Sequence, residues 1–310
     1  MTTKNPLFEA AGLTVLERGW LSSNNVLFSG DSAHGATLVD SGYCTHAAQT
    51  VALVRKALGP KPLERLVNTH LHSDHCGGNQ ALQRAFDCEI SVPAGEAAKV
   101  DVWDEERLTY RVTGQQCPRF TRSALLHGGA EIWCGARLWR VIAAPGHDPE
   151  SIMLYEPELE LLISADALWE NGFGVVFPEI EGESAFDDVR ATLDAIGKLP
   201  IRWVIPGHGR PFDDPGGALT GAHRRLDGFI ADPARHALHA ARVLIKFHLL
   251  EVQRVGRQQL AIWMEATRYL RLTHDRHFKS TSFTVWCELV LSGLKASGAL
   301  DIDGEIVRNI

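Results

Sequence analysis

The stretch NTHLHSDHCGG, residues 68–78, decides the fold because it places three histidines and an aspartate within six positions. It directly follows residues 63–67, a short run that predicts a β-strand. We therefore expect the cluster in the loop at the carboxyl end of that strand, where open α/β sheets usually bind their ligands. Imidazole and carboxylate groups together suit zinc and its first-row neighbours. The cluster predicts a metal site.

The spacing inside the cluster indicates more than one ion. In an extended loop, residues two apart face the same way, so His70 and His72 can bind one cation. Asp74 and His75 then point elsewhere and are free to bind a second. The geometry favours two metals.

Three further elements each follow a predicted strand and can supply the missing ligands. AAPGHDPES presents His147, LLISADALW presents Asp166, and WVIPGHG presents His208. In the two histidine elements Pro-Gly precedes the imidazole, which predicts a tight turn that aims the ring inward. Five histidines and two aspartates would then surround a dinuclear centre.

Together these residues resemble the metallo-β-lactamase superfamily from about residue 12 to 215. The matching motifs are LVDSG at 38–42, THLHSDH at 69–75, PGH at 145–147, AD at 165–166 and PGHG at 206–209. The resemblance implies an α/β (α+β) fold, the αββα sandwich, in which two mixed sheets carry helices outside. One departure is Ala165, where the family commonly has glycine.

The resemblance also assigns the ligands. It implies that one metal is held by His70, His72 and His147, the other by Asp74, His75 and His208, and that Asp166 bridges both. Asp40 would support the ligands without binding metal itself. An aspartate that opens a turn at a strand end is, however, often only a turn residue.

Two such ions about 3.5–4 Å apart can share a water and lower its pKa from about 15.7 towards neutrality. The sequence therefore predicts a hydrolase that uses a metal-bridging hydroxide, with Asp74 and Asp166 as catalytic residues. Asp74 would carry a proton to the leaving group. The expected cofactors are two divalent transition-metal ions, zinc first, with manganese or iron open. His72 disfavours the di-iron flavoprotein branch, which has a carboxylate there, whereas a mononuclear sulfur dioxygenase stays open.

Composition indicates an ordinary soluble globular protein, with 45% hydrophobic and 22% charged residues and a net charge of −7. Residues 221–310 carry 13 Lys/Arg against 9 Asp/Glu, and the preceding part carries 18 against 29. The acidic body disfavours non-specific nucleic-acid binding there. Without a signal-like start or a long apolar stretch, we expect a cytoplasmic protein with no membrane association. The six dispersed cysteines predict free, mostly buried thiols.

The pattern changes to helix from about residue 219. We predict helices over 234–255, 258–272 and 281–295, then a hairpin around Asp303 and Gly304. This order is winged-helix-like and resembles the C-terminal region of the superfamily branch that includes a mitochondrial endoribonuclease. The predicted domains are a catalytic domain, 1–218, and this tail, 219–310.

Two functions from different classes remain. The favoured one is hydrolysis of a small ester, thioester, lactone or related acyl substrate. The alternative is a nucleic-acid-processing phosphodiesterase whose tail binds RNA or DNA. The third tail helix should turn an apolar stripe inward and offers few cations, so we expect a tail that packs or forms a homodimer. A basic patch is nevertheless conceivable from four arginines, Arg254, Arg257, Arg268 and Arg271.

Several side chains receive more local predictions. Trp169 and Phe173 should shape an apolar pocket mouth beside the metals, and residues 107–127 should form a wall or lid. Cys76 is expected to pack rather than bind metal. Four tail histidines are expected to face solvent, namely His236, His239, His274 and His277.

Overall fold

The computed structural model describes residues 5–310. The strands are β1 (Leu13–Leu16), β2 (Asn25–Phe28), β3 (Ala36–Val39), β4 (Leu63–Val67), β5 (Glu89–Pro93), β6 (Ala124–Leu126), β7 (Glu131–Cys134), β8 (Arg137–Ala143), β9 (Ile152–Glu156), β10 (Leu161–Ala165), β11 (Trp203–Pro206), β12 (Arg254–Gly256), β13 (Leu300–Asp303) and β14 (Ile306–Asn309). The α-helices are α1 (Pro6–Ala10), α2 (Ala47–Leu58), α3 (Ser73–Cys76), α4 (Asn79–Phe86), α5 (Ala97–Val102), α6 (Tyr110–Thr113), α7 (Phe177–Glu181), α8 (Phe186–Ile196), α9 (Pro215–Ala231), α10 (Pro233–Val252), α11 (Arg257–Ala266), α12 (Arg268–His277) and α13 (Phe283–Ala296).

Two mixed sheets form the body. The first has the order β1-β2-β3-β4-β5-β6, antiparallel as far as β3 and parallel from there on. The second has the order β11-β10-β9-β8-β7, in which β10 and β11 are parallel. Helices cover the outer face of each sheet, so the predicted αββα sandwich is confirmed.

Alternating side chains explain why the sheets stack. In β3 and β4, Val39 and Val67 point into a core shared with the second sheet, whereas Leu38 and Leu66 point outward. The outward pair packs against α2 and α4, for example on Val54. Because both faces of these strands are covered by apolar partners, the strands are apolar on both sides rather than on one.

The second sheet is covered in the same way by α8 and α9. Val189 and Leu193 of α8 share one core with Ala222 and Leu226 of α9. The predicted boundary between residues 218 and 219 falls inside α9. The division into two domains stays a prediction, but α9 packs with the body.

The C-terminal region is helical as predicted, and a three-stranded sheet in the order β12-β14-β13 completes it. The predicted single helix over 258–272 is wrong: α11 and α12 are separated at Thr267, whose backbone is extended. The Thr267 hydroxyl donates to the carbonyl of Trp263, which satisfies a helix-end acceptor at the break. The tail's resemblance to a winged helix stays a prediction.

Other predictions of burial have mixed outcomes. His277 is exposed as expected, but His236 and His274 are buried. The ring of His236 packs at 5.0 Å from that of Phe229, and His274 packs at 5.7 Å from Trp286, so aromatic neighbours replace solvent. All six cysteines are free, and five are buried. Within residues 5–310, no helix is both long and apolar enough to cross a membrane.

Candidate metal centre

The predicted ligands follow strand ends at one edge of the sandwich. His70 and His72 lie in the loop after β4, and Asp74 and His75 lie in α3 directly behind it. His147, Asp166 and His208 follow β8, β10 and β11, respectively. The structure brings all seven side chains together although they are separated by up to about half of the chain. They form three groups, within each of which the ligand atoms lie no more than 4.8 Å apart: His70, His72 and His147; His70, His75 and Asp166; Asp74, His75 and His208.

In the first group, ring nitrogens face one another closely. Nδ1 of His72 lies 2.8 Å from Nε2 of His147. Nδ1 of His147 donates to the carbonyl of Val175 at 2.5 Å, which leaves the lone pair on Nε2 directed into the cluster. Nδ1 of His70 lies 3.2 Å from the Thr69 hydroxyl, so its Nε2 points inward.

In the third group, two histidines meet one carboxylate. Nε2 of His208 lies 3.0 Å from Oδ2 of Asp74, and Nε2 of His75 lies 4.0 Å from the same oxygen. These atoms come from α3 and from the turn after β11. The two sheets therefore each contribute to one group.

Asp166 belongs to the second group and lies between the first group and the third. Its Oδ2 is 3.4 Å from Nε2 of His147, and its Oδ1 is 3.4 Å from Nε2 of His75. The register of β10 shifts between Ile163 and Ala165, and Ala165 has a φ of 47°. Such a bulge redirects the following side chain, here towards the cluster.

Asp40 stands behind the cluster, directly after β3. Its carboxylate accepts from the backbone N–H of Thr69 at 2.9 Å, from the Thr69 hydroxyl at 2.7 Å, and from Nδ1 of His75 at 2.7 Å. Asp40 has a φ of 57°, a conformation that aspartate tolerates better than most residues. Its side chain is thus a support for His75 as well as part of a turn.

The donor set fits divalent metal ions. Among residues 5–310, two buried imidazole nitrogens that face into this cluster have no hydrogen-bond partner, namely Nε2 of His70 and Nε2 of His75. Buried polar atoms are normally paired, so two unpaired nitrogens that face one cluster need an explanation. Burial lowers the pKa of His72 and of His147 to about 4, which keeps both rings neutral and able to coordinate.

The charged groups around His75 favour a positive charge inside the same cluster. Burial alone would lower the pKa of His75, but Asp166, Asp40 and Asp74 raise it well above its ordinary value. Burial alone would raise the pKa of Asp166, but His75 and His208 hold it well below its ordinary value. A cation bound among these groups would be stabilised by carboxylates that stay ionised.

A cavity of about 620 Å³ opens onto the cluster. Trp20 lies at its edge, 57% exposed, with its ring stacked 5.3 Å from that of His208. Trp169 lines the cavity as predicted, and its Nε1 donates to Asp166 at 3.2 Å. Thr109 and Gln115, from the predicted wall, line it as well.

The prediction for Phe173 is wrong, because its ring is buried behind the loop at 6.3 Å from Phe229. The chain turns at Gly172, which has a φ of 117°, and Gly174 lies against the ring of His147. Phe177 takes the predicted place, 5.0 Å from the ring of His72. Sequence reasoning missed Phe177 and Trp20. The available signal for Trp20 was an aromatic side chain just before the polar run at residues 22–25, because connecting segments usually run over the surface.

Cys76 is buried, with its Sγ 3.2 Å from the hydroxyl of Tyr110 and 3.7 Å from Sγ of Cys117. It belongs to none of the three groups. Cys76 packs, as predicted. Residue 124 begins β6, so the segment over 107–127 is less irregular than its sequence indicates.

Known proteins with similar sequences are hydrolases by name. A hydroxyacylglutathione hydrolase of Hyphomonas neptunium is 30% identical over 138 residues, which are 44% of this chain and 44% of that protein. The acyl-coenzyme A thioesterase MBLAC2 of Gallus gallus is 27% identical over 165 residues, which are 48% of this chain and 57% of that protein. This chain therefore spans about half the length of these relatives.

Solved structures with the same fold extend over nearly the whole chain. A metallo-beta-lactamase family protein from Thermus thermophilus has a TM-score of 0.59 at 19% identity and covers 96% of this chain and 99% of its own. A beta-lactamase domain protein from Burkholderia ambifaria has a TM-score of 0.58 at 20% identity and covers 99% and 94%. At this identity the likeness shows the fold alone. The sequence model of the metallo-beta-lactamase superfamily matches residues 18–208, more than half of the chain, and the chain therefore belongs to that superfamily.

Proposed function

We propose that this chain is a metal-dependent hydrolase of small acyl compounds and that thioesters are its substrate class. The observation that carries the proposal is the convergence of seven side chains, two of whose buried, inward-facing nitrogens lack a hydrogen-bond partner within residues 5–310. Two relatives support the choice of thioesters, because their names describe a hydroxyacylglutathione hydrolase and an acyl-coenzyme A thioesterase.

The ligand assignment follows the three groups. His70, His72 and His147 would hold one ion. Asp74, His75 and His208 would hold the other, and Asp166, which faces both groups, would contact both ions. Zinc is the first candidate because histidine and carboxylate together are typical of its sites, while manganese and iron suit the same donors.

When bound, a pair of divalent cations supplies a hydroxide nucleophile at neutral pH and an electrophile for the acyl carbonyl. This chain's own groups orient that chemistry. Asp40 fixes the ring of His75 through Nδ1. Trp169 holds Oδ1 of Asp166. Asp74 lines the cavity, and we propose that its carboxylate carries a proton to the leaving thiolate.

The cavity suits a small molecule. Its volume of about 620 Å³ lies within the range of roughly 300–1,000 Å³ usual for small-molecule sites. Trp20, Trp169 and Phe177 give it apolar walls next to the cluster. Such walls exclude water from around a bound acyl group, which strengthens the polar interactions at the reacting carbonyl.

The tail offers little support for nucleic-acid processing. Of the four arginines that could form a basic patch, Arg257 pairs with Glu288 at 2.7 Å and Arg268 pairs with Glu106 at 2.9 Å. Arg271 pairs with Glu265. Arginines that are already paired with carboxylates are poor material for a phosphate-binding surface.

We propose instead that the tail packs on the body. Its core is continuous with Val112, Val175 and Ile180 of the body, which pack with the tail helices α10 to α13. Of the five apolar residues of α13 expected to point inward, Phe283 is partly buried, and the other four are buried, namely Trp286, Cys287, Val290 and Leu294. A homodimer through the remaining tail surface stays a prediction.

A substrate panel tests the reaction. We would compare kcat/KM of the metal-loaded protein for acylglutathione, acyl-coenzyme A, homoserine lactone, nitrocefin, bis-p-nitrophenyl phosphate and single-stranded RNA. We expect the highest value for a thioester. Turnover should disappear in Asp166→Ala and persist in Asp194→Ala, a control on the exposed side of α8. A higher value for RNA, the phosphodiester or nitrocefin would reject thioesters as the substrate class.

A further inference from the structure

We propose that the cavity wall formed by α9 and α10 is an anion-binding subsite, in which Arg225 and Arg242 bind a carboxylate or phosphate group of the thioester substrate. This inference rests on the proposed function, because it specifies the substrate of the same cavity. The substrate class that fits such a subsite is an acyl thioester that carries an apolar segment and an anionic group. The anionic group lies away from the carbonyl that reacts.

The charges that line the cavity are uneven. Outside the metal cluster the described residues contribute four cationic side chains to the lining, namely Arg210, Arg225, Arg242 and Lys246, and one carboxylate, Glu170. Three of these cations come from α9 and α10. A wall of one sign next to an apolar surface attracts a ligand of the opposite sign.

Two of the four cations already have partners. Nζ of Lys246 donates to the carbonyl of Ala299 and to Oδ1 of Asn309, both at 2.6 Å, and to the backbone oxygen of Ile310 at 2.8 Å. An ammonium has three N–H donors, so Lys246 is fully used. Arg210 lies 3.7 Å from Glu17. Arg225 and Arg242 remain.

Arg225 is held firmly but without an anion. Its Nη2 donates to Nε2 of His239 at 2.8 Å, and its Nη1 donates to the carbonyl of Asn171 at 3.4 Å. Its guanidinium lies 5.3 Å from the ring of Phe229 and 5.9 Å from that of Phe173. A guanidinium fixed by aromatic faces and hydrogen bonds is preorganised for a planar carboxylate or a phosphate.

The positive charge of this wall is not compensated by the protein. Among residues 5–310, neither Arg225 nor Arg242 forms an ion pair, and Nε of Arg225 is buried without a hydrogen-bond partner. Burial lowers the pKa of Arg225, and the nearby Arg235 lowers it further. Arg225 is partly buried, and a partly buried cation without an anionic partner costs free energy that a bound anion would offset. Arg242 is exposed and adds its positive charge to the same wall.

The same face of α10 also carries apolar side chains. His239, Val243, Lys246 and Leu250 follow one another at helical spacing and all line the cavity, together with Phe247. The wall therefore alternates between a cationic part and an apolar part. A ligand that matches it carries an alkyl segment as well as a negative charge.

The test measures binding without turnover, using thioethers that cannot be hydrolysed. S-hexylglutathione is anionic, whereas S-hexyl-N-acetylcysteamine has the same alkyl group and sulfur without the charge. We would titrate both into the metal-loaded protein by calorimetry. Arg242→Gln should weaken binding of the anionic probe about tenfold, the loss expected for a hydrogen bond to a charged group. Binding of the neutral probe should change less than about twofold. Arg224→Gln, which removes the same charge from a position of α9 that does not line the cavity, is the matched control and should change neither.

Two further probes distinguish the source of the anion. S-hexyl-coenzyme A places phosphates on the thiol side, and an N-acetylcysteamine thioether with a carboxylate at the end of its alkyl chain places the anion on the acyl side. A loss in Arg242→Gln for any of the anionic probes supports the subsite and identifies that source. Arg225→Lys, which keeps the charge but not the planar fork, should weaken the same probe.

Equal effects of Arg242→Gln on charged and neutral probes, or no effect on either, would overturn the subsite. The subsite would also be overturned if single-stranded RNA bound more tightly than every thioether and if Arg242→Gln abolished that binding. If the anionic thioether depends on Arg242 but no thioester is hydrolysed, the subsite stands and the proposed reaction fails. If thioesters are hydrolysed without regard to charge, the reaction stands and the subsite fails.

Discussion

The carboxylate of Asp40 lies 2.7 Å from Nδ1 of His75, and this contact directs the other ring nitrogen, Nε2, towards Asp166 at 3.4 Å. Asp40 is 35 residues away from His75 in the chain, but β3 and β4 are parallel neighbours, so their carboxyl ends meet. A histidine whose Nδ1–H donates to a carboxylate presents Nε2 as a more basic ligand. Asp40 is therefore a positioning residue for the proposed centre.

Asp40→Asn should lower metal affinity about 10–100-fold, the loss usual when a carboxylate behind a histidine ligand is removed. Asparagine tolerates the positive φ of this position, so the backbone should be retained. Competition with a chromophoric chelator measures the affinity. Asp194→Asn is the matched control, because Asp194 contacts His223 at 3.5 Å on an exposed surface. Equal affinities in the wild type and Asp40→Asn would contradict this role.

Ala165→Gly should stabilise the protein. Ala165 has a φ of 47°, where the Cβ is unfavourable, and glycine removes that cost at some expense in unfolded-state entropy. We expect the free energy of unfolding to rise by about 0.5–1 kcal/mol, measured by urea denaturation of the metal-free protein. Ala191→Gly, in α8, should instead lower it by about 1 kcal/mol. A similar loss in both variants would show that Ala165 is not strained.

Gly207→Ala should impair metal binding. A methyl group at residue 207 would overlap Oδ1 of Asp166 and would lie 2.9 Å from Cε1 of His75. Both side chains would have to move, so we expect metal affinity to fall by at least about tenfold, a typical loss when a ligand is displaced. Gly221→Ala is the control, since nothing lies within 4 Å of its added methyl group. Unchanged metal content in Gly207→Ala after dialysis against a weak chelator would refute the prediction.

The sequence predicted well where the strands end and which polar side chains follow them, because both signals are local. A short apolar run followed by Pro-Gly and an imidazole predicts where His147 and His208 lie whatever the rest of the chain does. The convergence of those donors depended on the resemblance to a known family. The contact between Asp40 and His75 adds a detail that turn chemistry alone leaves open.

Other parts depend on distant contacts, and there sequence reasoning failed. α9 contains Gly216, Gly217 and Gly221, which lower helix propensity, and its helix is stabilised by packing on α8. His236 was expected in solvent because the sequence places no carboxylate partner near it. The rings of Phe186 and Phe229 supply that reason, but they come from other elements.

The cavity wall formed by α9 and α10 could not be predicted from the sequence, because it too depends on distant contacts. Arg225 and Arg242 are ordinary helix-surface residues in the sequence, and only the docking of α9 and α10 against the loop after β10 brings them into the cavity of Asp166. The Phe173 prediction failed because of a nearby turn in the chain rather than a distant contact. A turn at Gly172 decides whether Phe173 or Phe177 reaches the cluster. The periodicity of apolar residues alone does not predict that turn.

The central claim is that seven side chains hold two divalent transition-metal ions, and the metal content of the purified protein tests it most directly. After reconstitution with zinc and removal of excess metal, elemental analysis by plasma mass spectrometry should give close to two equivalents for each chain. One equivalent, or none, would contradict the dinuclear centre.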